Sequence, residues 1–139
     1  MLKIWTDGSC LGNPGRGGWG FIATDGKNIA ERCGCESNTT NNRMELMAVI
    51  RALTAAKNHT ELEIHTDSQY VKNGMLSWIK NWKKNNWRTA DKKPVKNQDL
   101  WQQLDELNSN LNVEWNWVKG HAGIEYNEIC DQLCQKEIA

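Results

Sequence analysis

The chain has 139 residues, of which 39% are hydrophobic and 24% charged, and its formal net charge is zero. This length and composition are typical of one soluble globular domain and exclude two separate hydrophobic cores. No stretch approaches the roughly 20 consecutive apolar residues that a membrane span needs, and the N-terminal residues lack the apolar run of a signal peptide. We therefore expect a soluble monomer with no membrane partner.

The five cysteines are an odd number and accompany no secretion signal, which predicts reduced thiols and a cytoplasmic location. Their spacing, with one pair at 33 and 35 and another at 130 and 134, is not that of a four-ligand zinc site. A structural zinc ion is therefore not expected.

The residue pattern in the first part of the chain predicts strands. Residues 2–10 have a strand pattern that ends in a turn rich in glycine and proline, and short strands follow at 19–24 and 28–35. Between these two, Asp25-Gly26 is a strong signal for a two-residue hairpin turn.

The hydrophobic period then changes to that of a helix. Apolar residues between 44 and 53 follow a 3.6-residue period, and residues 39–41 offer N-cap side chains before them. A buried strand is predicted at 61–66. Ser68 is a candidate cap for the next helix, and Gly74 is expected to break the helical stretches that continue to about 85.

The last part of the chain predicts a loop at 87–97, in which Pro94 stops any helix, and then three regular elements. These are a helix at 99–107, a strand at 112–118 and a closing helix at 126–137. The order of elements predicts a single α/β domain over 1–139, with a mixed sheet and helices on both faces.

Two aspartates, Asp7 and Asp67, each follow a threonine at the end of an apolar-rich strand. Ligands of open sheets bind beyond the carboxyl ends of the central strands, so these two carboxylates are expected close together. Glu45 and Asp131 lie in apolar stretches of helices, where a charge is costly unless it is paired or bound to metal. Four clustered acids would select a hard cation such as Mg²⁺ or Mn²⁺.

Each acid also has a structural interpretation. Asp7 could cap a turn, Asp67 could be the N-cap of its helix, and Glu45 could pair at the surface with Arg43 or Arg51. The metal site is favoured because three acids with unrelated structural roles would otherwise have to lie at one edge of the sheet by coincidence.

The zero net charge conceals a basic segment. Residues 72–96 contain eight basic residues and one acidic residue, a net charge of +7, so the rest of the chain carries −7. Such a segment is either a surface for a polyanion or an exposed helix face. Most of the eight tryptophans lie in or after it, where their rings could stack on bases or form a core.

Five segments resemble, in order and spacing, the bacterial form of type 1 ribonuclease H. They are WTDGSCLGNPGRGGWG at 5–20, TTNNRMELMA at 39–48, HTDSQYVKNG at 65–74, NWKKNNWRTADKKPVKNQDLW at 81–101 and VKGHAGIEYNEICDQL at 118–133. The resemblance implies a ribonuclease H-like fold, a five-stranded mixed sheet with a protruding basic handle at about 78–97. It also implies that the chain hydrolyses the RNA strand of RNA–DNA hybrids.

The resemblance implies the catalytic residues as well. The family's four carboxylates fall on Asp7, Glu45, Asp67 and Asp131 and would hold two Mg²⁺ ions, for which Mn²⁺ is a possible substitute. One ion would activate a water for attack on phosphorus and the other would stabilise the leaving 3′-oxygen, which leaves 5′-phosphate and 3′-hydroxyl ends. His121, on a short loop, matches a histidine that assists proton transfer or product departure.

Substrate contacts are implied on both strands of the hybrid. The 2′-hydroxyls of the RNA would be read by amide side chains and the backbone near a cysteine, at Cys10, Asn13, Asn41, Asn42 and Gln69. The DNA strand would be held at a helix N-terminus and by the handle, at Thr40, Arg43, Trp78, Lys83 and Lys84. Trp82, Trp87 and Trp101 either grip the substrate or form the core of the handle.

Three other classes of function remain open. A non-catalytic hybrid-binding module would gain nothing from clustered acids that face phosphates. An integrase or a Holliday-junction resolvase shares the carboxylate chemistry but lacks the handle and the asparagine-rich groove. A structural protein with an incidental acidic cluster does not explain the +7 segment.

Overall fold

The computed structural model describes residues 2–12, 15–59, 61–89 and 91–117. They contain a five-stranded sheet in the order β3-β2-β1-β4-β5. The strands are β1 (Leu2–Gly12), β2 (Gly15–Thr24), β3 (Ile29–Thr39), β4 (Leu62–Thr66) and β5 (Val113–Trp117). The first three pair antiparallel, whereas β4 runs parallel to β1 and β5 parallel to β4. The predicted mixed sheet is confirmed.

The pleat of β1 separates its side chains onto two faces. Ile4 and Thr6 are buried on the face that carries the main hydrophobic core. Trp5 lies on the opposite face, where its ring stacks on His65 of β4 with the ring centroids 4.7 Å apart.

A hairpin joins β2 and β3 as predicted, but its connection is longer than the predicted two residues. The paired strands end at Thr24 and Ile29, which leaves four residues between them. Asp25 Oδ1 accepts hydrogen bonds from the backbone N–H groups of Lys27 and Asn28, at 2.9 and 2.8 Å. Gly26 has a φ of 99°, which favours glycine. The Asp-Gly pair therefore lies in the turn as predicted, and the aspartate side chain stabilises a connection of four residues.

The first helix is α1 (Asn41–Ala55), and it begins where the sequence predicts. Thr40 is its N-cap, because its backbone is extended and its hydroxyl accepts a hydrogen bond from the Arg43 backbone N–H. The buried face of α1 packs across β1 and β2. This face consists of Met44, Leu46, Ala48, Val49, Ile50, Ala52 and Leu53.

A helical segment follows β4 without the break predicted at Gly74. It comprises α2 (Gln69–Asn73), a π-helical turn (Gly74–Trp78) and α3 (Ile79–Lys84). Gly74 has ordinary right-handed helical angles. A Cβ at this position would overlap the ring of Trp101, so the glycine is explained by packing rather than by helix termination.

The predicted loop around Pro94 is confirmed, with one bridge between Arg88 and Pro94. It leads into α4 (Gln98–Asn110), which packs beside α1. Trp101 of α4 is fully buried, and the rings of Tyr70 and Trp82 lie 5.3 and 5.5 Å from its own.

The rings of Trp82 and Trp87 lie 6.1 Å apart, and both side chains pack against the hydrophobic core. The interpretation of Trp82, Trp87 and Trp101 as the core of the handle is therefore confirmed.

The closing helix predicted at 126–137 lies outside the described residues. Within the described part, no helix has the length and apolar character that crossing a membrane requires.

Candidate active site

Asp7 lies within β1, just beyond the part of the strand that pairs with β4, and Asp67 directly follows β4. β1 and β4 are parallel neighbours, and their register pairs Trp5 with His65. Asp7 and Asp67 each lie two residues beyond this pair, so the register places them level at the carboxyl end of the sheet. Asp7 is 8% exposed, and its Oδ1 accepts a hydrogen bond from the Gly8 backbone N–H at 3.0 Å. The parallel register supports the predicted proximity of the two carboxylates, but β1 continues to Gly12, so Asp7 does not end its strand as the sequence predicted.

Gly8 brings β1 against α1 at the position of Glu45. A Cβ on Gly8 would lie 2.5 Å from the Glu45 backbone nitrogen and 2.5 Å from the Met44 carbonyl oxygen. Only a residue without a side chain permits this approach of strand to helix. The glycine therefore sets how far the half-buried Glu45 carboxylate lies from the strand that carries Asp7.

Ser68 connects Glu45 to β4. Its hydroxyl donates a hydrogen bond to Glu45 Oε2 and accepts one from the Val71 backbone N–H at 3.1 Å. Ser68 is thus the N-cap of α2, as predicted, and also a partner of the candidate metal ligand. The second role was missed, because a serine after an aspartate indicates no more than a cap in the sequence.

Two of the structural interpretations of the acids are wrong. Asp67 is not the N-cap of α2, since Ser68 occupies that position. Glu45 does not pair with arginine, because Arg43 is paired with Asp99 at 2.9 Å and the Arg51 guanidinium lies over the Trp19 ring at 5.7 Å.

The pKa of Glu45 is raised above its ordinary value. Burial is the largest cause and the negative charge of Asp67 adds to it, while the hydrogen bond from Ser68 acts in the opposite direction. Ionised Glu45 and Asp67 are therefore close enough to repel each other. A hard divalent cation would relieve this repulsion, and the oxygen donors of this site fit such an ion.

The predicted metal-binding set is incomplete in the described part of the chain. There, no three side chains among His, Cys, Asp and Glu form a group that could hold a metal ion. Asp131 and His121 lie outside the described residues, so the four-carboxylate site remains a prediction.

Glu45→Gln is expected to remove a pH-dependent loss of stability. Because the pKa of Glu45 is raised in the fold, its ionisation destabilises the folded state as pH rises above the ordinary value of 4.5. In chelator, the Tm of the wild type should therefore fall relative to that of the variant between about pH 4 and pH 8. Glu114→Gln, at an exposed position of β5, is the control. A Tm difference that does not change with pH would contradict the prediction.

The residues predicted to read the RNA strand lie on several elements of the described part of the chain. Asn41 and Asn42 are exposed in its first turn, and Gln69 is exposed at the start of α2. Cys10 Sγ contacts the Thr39 carbonyl oxygen at 3.3 Å, which links β1 to the segment before α1. Asn13 lies outside the described residues. The side chains of Asn41 and Asn42 are not needed as caps, because Thr40 supplies the cap.

Arg43 is held more tightly than the sequence indicates. Its Nη1 donates to Asn97 Oδ1 and to Asp99 Oδ1, both at 3.1 Å, and its Nη2 donates to Asp99 Oδ2 at 2.9 Å. The hydrogen bonds between Arg43 and Asp99 raise the pKa of Arg43 and lower that of Asp99. Asn97 and Asp99 were missed, since their only signal in the sequence is a position at or just before the start of a predicted helix.

The handle residues divide into two groups. Trp78 is half-buried, with its ring 5.6 Å from Tyr70 and 5.8 Å from Trp82. Lys83 forms an ion pair with Asp105 of α4 at 3.3 Å. Lys83 and Lys84 are both exposed, but Lys84 lines an open groove with other polar and basic residues, namely Asn85, Asn86, Arg88, Thr89 and Lys92.

Comparison with known proteins agrees with this geometry. Ribonuclease H of Phenylobacterium zucineum is 57% identical over 138 residues, which cover 99% of this chain and 90% of the relative. Ribonuclease H of Treponema denticola is 53% identical, with 97% of this chain and 98% of the relative covered. The crystal structure of LC9-RNase H1, a type 1 RNase H with the type 2 active-site motif, superposes with a TM-score of 0.83 at 33% identity. That match covers 99% of this chain and 71% of the other.

The family model for RNase H matches residues 1–139. The described five-stranded mixed sheet and its strand order agree with the implied fold. The chain belongs to the ribonuclease H family.

Proposed function

We propose that this chain is a metal-dependent endonuclease that hydrolyses the RNA strand of RNA–DNA hybrids. The observation that carries the proposal is the register of the parallel strands β1 and β4, which places Asp7 and Asp67 level with each other, with the half-buried Glu45 beside them. Membership of the ribonuclease H family supports the same activity.

Asp7, Glu45, Asp67 and Asp131 would hold two Mg²⁺ ions, with Mn²⁺ as a possible substitute. The ions, when bound, would supply activation of water and charge stabilisation at the leaving 3′-oxygen, so that the products carry 5′-phosphate and 3′-hydroxyl ends. The chain itself orients the carboxylates: Gly8 N–H holds Asp7 and Ser68 Oγ–H holds Glu45. His121 would move a proton or assist the departure of the product.

Recognition of the hybrid requires contacts to the RNA strand and to the DNA strand. The exposed amides of Asn41, Asn42 and Gln69 can donate to and accept from 2′-hydroxyls, and Cys10 and Asn13 would complete this groove. Thr40 and Arg43 at the N-terminus of α1, together with Trp78, Lys83 and Lys84, would hold the DNA strand. We further propose that the protein acts as a cytoplasmic monomer.

The proposed activity is tested with four labelled substrates in Mg²⁺: RNA–DNA hybrid, double-stranded RNA, single-stranded RNA and duplex DNA. We expect cleavage of RNA in the hybrid alone, with 5′-phosphate on the products and loss of activity in chelator. Binding of the hybrid without cleavage would instead support a binding module. Cleavage of branched or duplex DNA would support a resolvase or an integrase.

Neutralising exposed lysines of the handle should weaken binding rather than chemistry. Lys84→Gln/Lys93→Gln is expected to raise KM much more than it lowers kcat, because these charges bind ground and transition states alike. The slope of the logarithm of the hybrid-binding constant against the logarithm of salt concentration should flatten by about 0.9 for each phosphate that the variant no longer neutralises.

Lys27→Gln/Lys57→Gln is the matched control for the handle variant. It removes the same two charges, from the β2–β3 turn and from beyond the C-terminal end of α1. A collapse of kcat at constant KM in the handle variant would show that the handle takes part in the chemical step.

A further inference from the structure

A hydrogen-bonded network joins three elements at the base of the handle. Tyr70 Oη, on α2, accepts hydrogen bonds from Asn97 Nδ2 and from Trp101 Nε1, each at 3.0 Å. Asn97 Oδ1 in turn accepts from Arg43 Nη1 of α1 at 3.1 Å. The first turn of α1 is therefore connected through Asn97 and Tyr70 to the aromatic core of the handle.

The Tyr70 hydroxyl is committed to this network. A phenolic oxygen has two lone pairs, and two N–H donors occupy both of them. Its ring is fixed as well, between Trp78 at 5.6 Å and Trp101 at 5.3 Å. Tyr70 therefore holds the Asn97 amide at one defined orientation.

The Asn97 side chain is diverted from its ordinary role. It occupies the N-cap position of α4 with left-handed backbone angles, φ 60° and ψ 29°, yet it makes no capping hydrogen bond. Asparagine at an N-cap usually accepts from the helix backbone. Here its amide bridges Tyr70 and Arg43 instead, so its geometry is set by the contacts between elements.

Arg43 is held by one edge of its guanidinium. Asn97 and Asp99 accept from Nη1 and Nη2, and no described residue accepts from Nε. A guanidinium has five N–H groups in a planar fork, so the Nε/Nη2 edge is left to bind an anion with two parallel hydrogen bonds. The side chain is 32% exposed, which allows such an anion to reach it.

We propose that Tyr70 is a positioning residue for nucleic-acid binding. Its hydroxyl orients Asn97, and Asn97 with Asp99 fixes the Arg43 guanidinium so that the Nε/Nη2 edge is preorganised for a backbone phosphate. Tyr70 thereby couples the packing of the handle to the phosphate site at the N-terminus of α1. The inference rests on the proposed function, because the phosphate belongs to the hybrid.

The test is Tyr70→Phe, which keeps the ring and removes the acceptor. We expect the KM for the hybrid to rise about three- to tenfold, since an Arg43 side chain that is not held must be ordered on binding. The kcat should stay within about twofold, because the interaction that is removed is made equally in ground and transition states. Binding is measured in an Asp7→Asn background, in which the hybrid is not cleaved. There the slope of log binding constant against log salt concentration, the salt slope, should flatten by up to about 0.9.

Asn108→Leu is the matched control. Asn108 Oδ1 accepts from Trp115 Nε1 at 3.0 Å, so this variant also leaves an indole N–H unpaired, but away from Arg43. It should lower Tm as Tyr70→Phe does and leave KM and the salt slope unchanged. With Arg43→Gln already present, Tyr70→Phe should raise KM no further, because the two residues act on one contact.

The inference would be overturned if the wild type is active and the Tyr70→Phe variant has a lower Tm but the same KM and salt slope. An additive effect of Tyr70→Phe in the Arg43→Gln background would overturn it as well. A wild type that leaves the RNA of the hybrid intact would overturn the proposed function instead, so the two failures are distinguishable.

Discussion

Asp7→Asn is expected to abolish hybrid cleavage and yet to raise the Tm of the metal-free protein at neutral pH. Loss of a metal ligand should lower kcat/KM by on the order of 10³-fold or more, because a bound ion supplies several kcal/mol of transition-state stabilisation. Asparagine retains the Oδ1 that accepts from the Gly8 N–H, so the local hydrogen bond survives. The variant also removes one negative charge from a nearly buried position beside Asp67 and Glu45.

Thermal melts of the wild type and the variant in chelator at neutral pH measure the second part of this prediction. The Tm gain should shrink in saturating Mg²⁺, since the ion binds the native wild type and stabilises it. It should also shrink in acid, where the carboxyls are protonated. An inactive variant that is clearly less stable in chelator would show that Asp7 is a structural turn residue.

Gly8→Ala is expected to lower both stability and activity. The added Cβ would lie 2.5 Å from the Glu45 backbone nitrogen, and backbone cannot rotate away as a side chain can. Separating β1 from α1 should cost about 1–3 kcal/mol or more of unfolding free energy. The same shift moves Glu45 away from Asp7, so kcat should fall even in the fraction of the protein that remains folded.

Gly34→Ala is the matched control for this effect. It is also a glycine in a strand, and its Cβ would lie 2.6 Å from the ring of Trp19, which is a side chain outside the candidate site. The control should destabilise the fold and leave kcat unchanged. Equal kcat values for Gly8→Ala and wild type, measured well below both Tm values, would show that the contact of strand with helix does not position the carboxylates.

The placement of Asp7 and Asp67 on neighbouring strands was predictable from the sequence because the information is local. Each follows an apolar stretch and a threonine, and the parallel register of β1 and β4 places the two residues level with each other, although β1 continues to Gly12. The five strands and the start of α1 followed from hydrophobic period and capping for the same reason. Contacts between residues distant in sequence were not predictable. The bond of Ser68 to Glu45 and the pairing of Arg43 with Asp99 depend on how elements pack.

The helix break predicted at Gly74 was wrong for the same physical reason. Glycine weakens a helix through its backbone freedom, so an isolated sequence favours an interruption there. In the fold, the Trp101 ring occupies the space that a side chain at Gly74 would fill, and the helical hydrogen bonds continue past this residue. The roles of Asn13, His121 and Asp131 stay predictions, because these residues lie outside the described part of the chain.

The π-helical turn between α2 and α3 determines the rotational phase of the handle. The Ile79 N–H bonds to the Gly74 carbonyl oxygen five residues earlier, so this turn contains one residue more than an α-helical turn. An α-helix rotates by about 100° per residue, and the extra residue therefore turns everything after it by about that angle. With this rotation Ile79 is buried, while Lys80 and Lys84 are exposed to solvent. A single wide turn thus decides which side of α3 presents positive charge outward and which side anchors the handle to the protein.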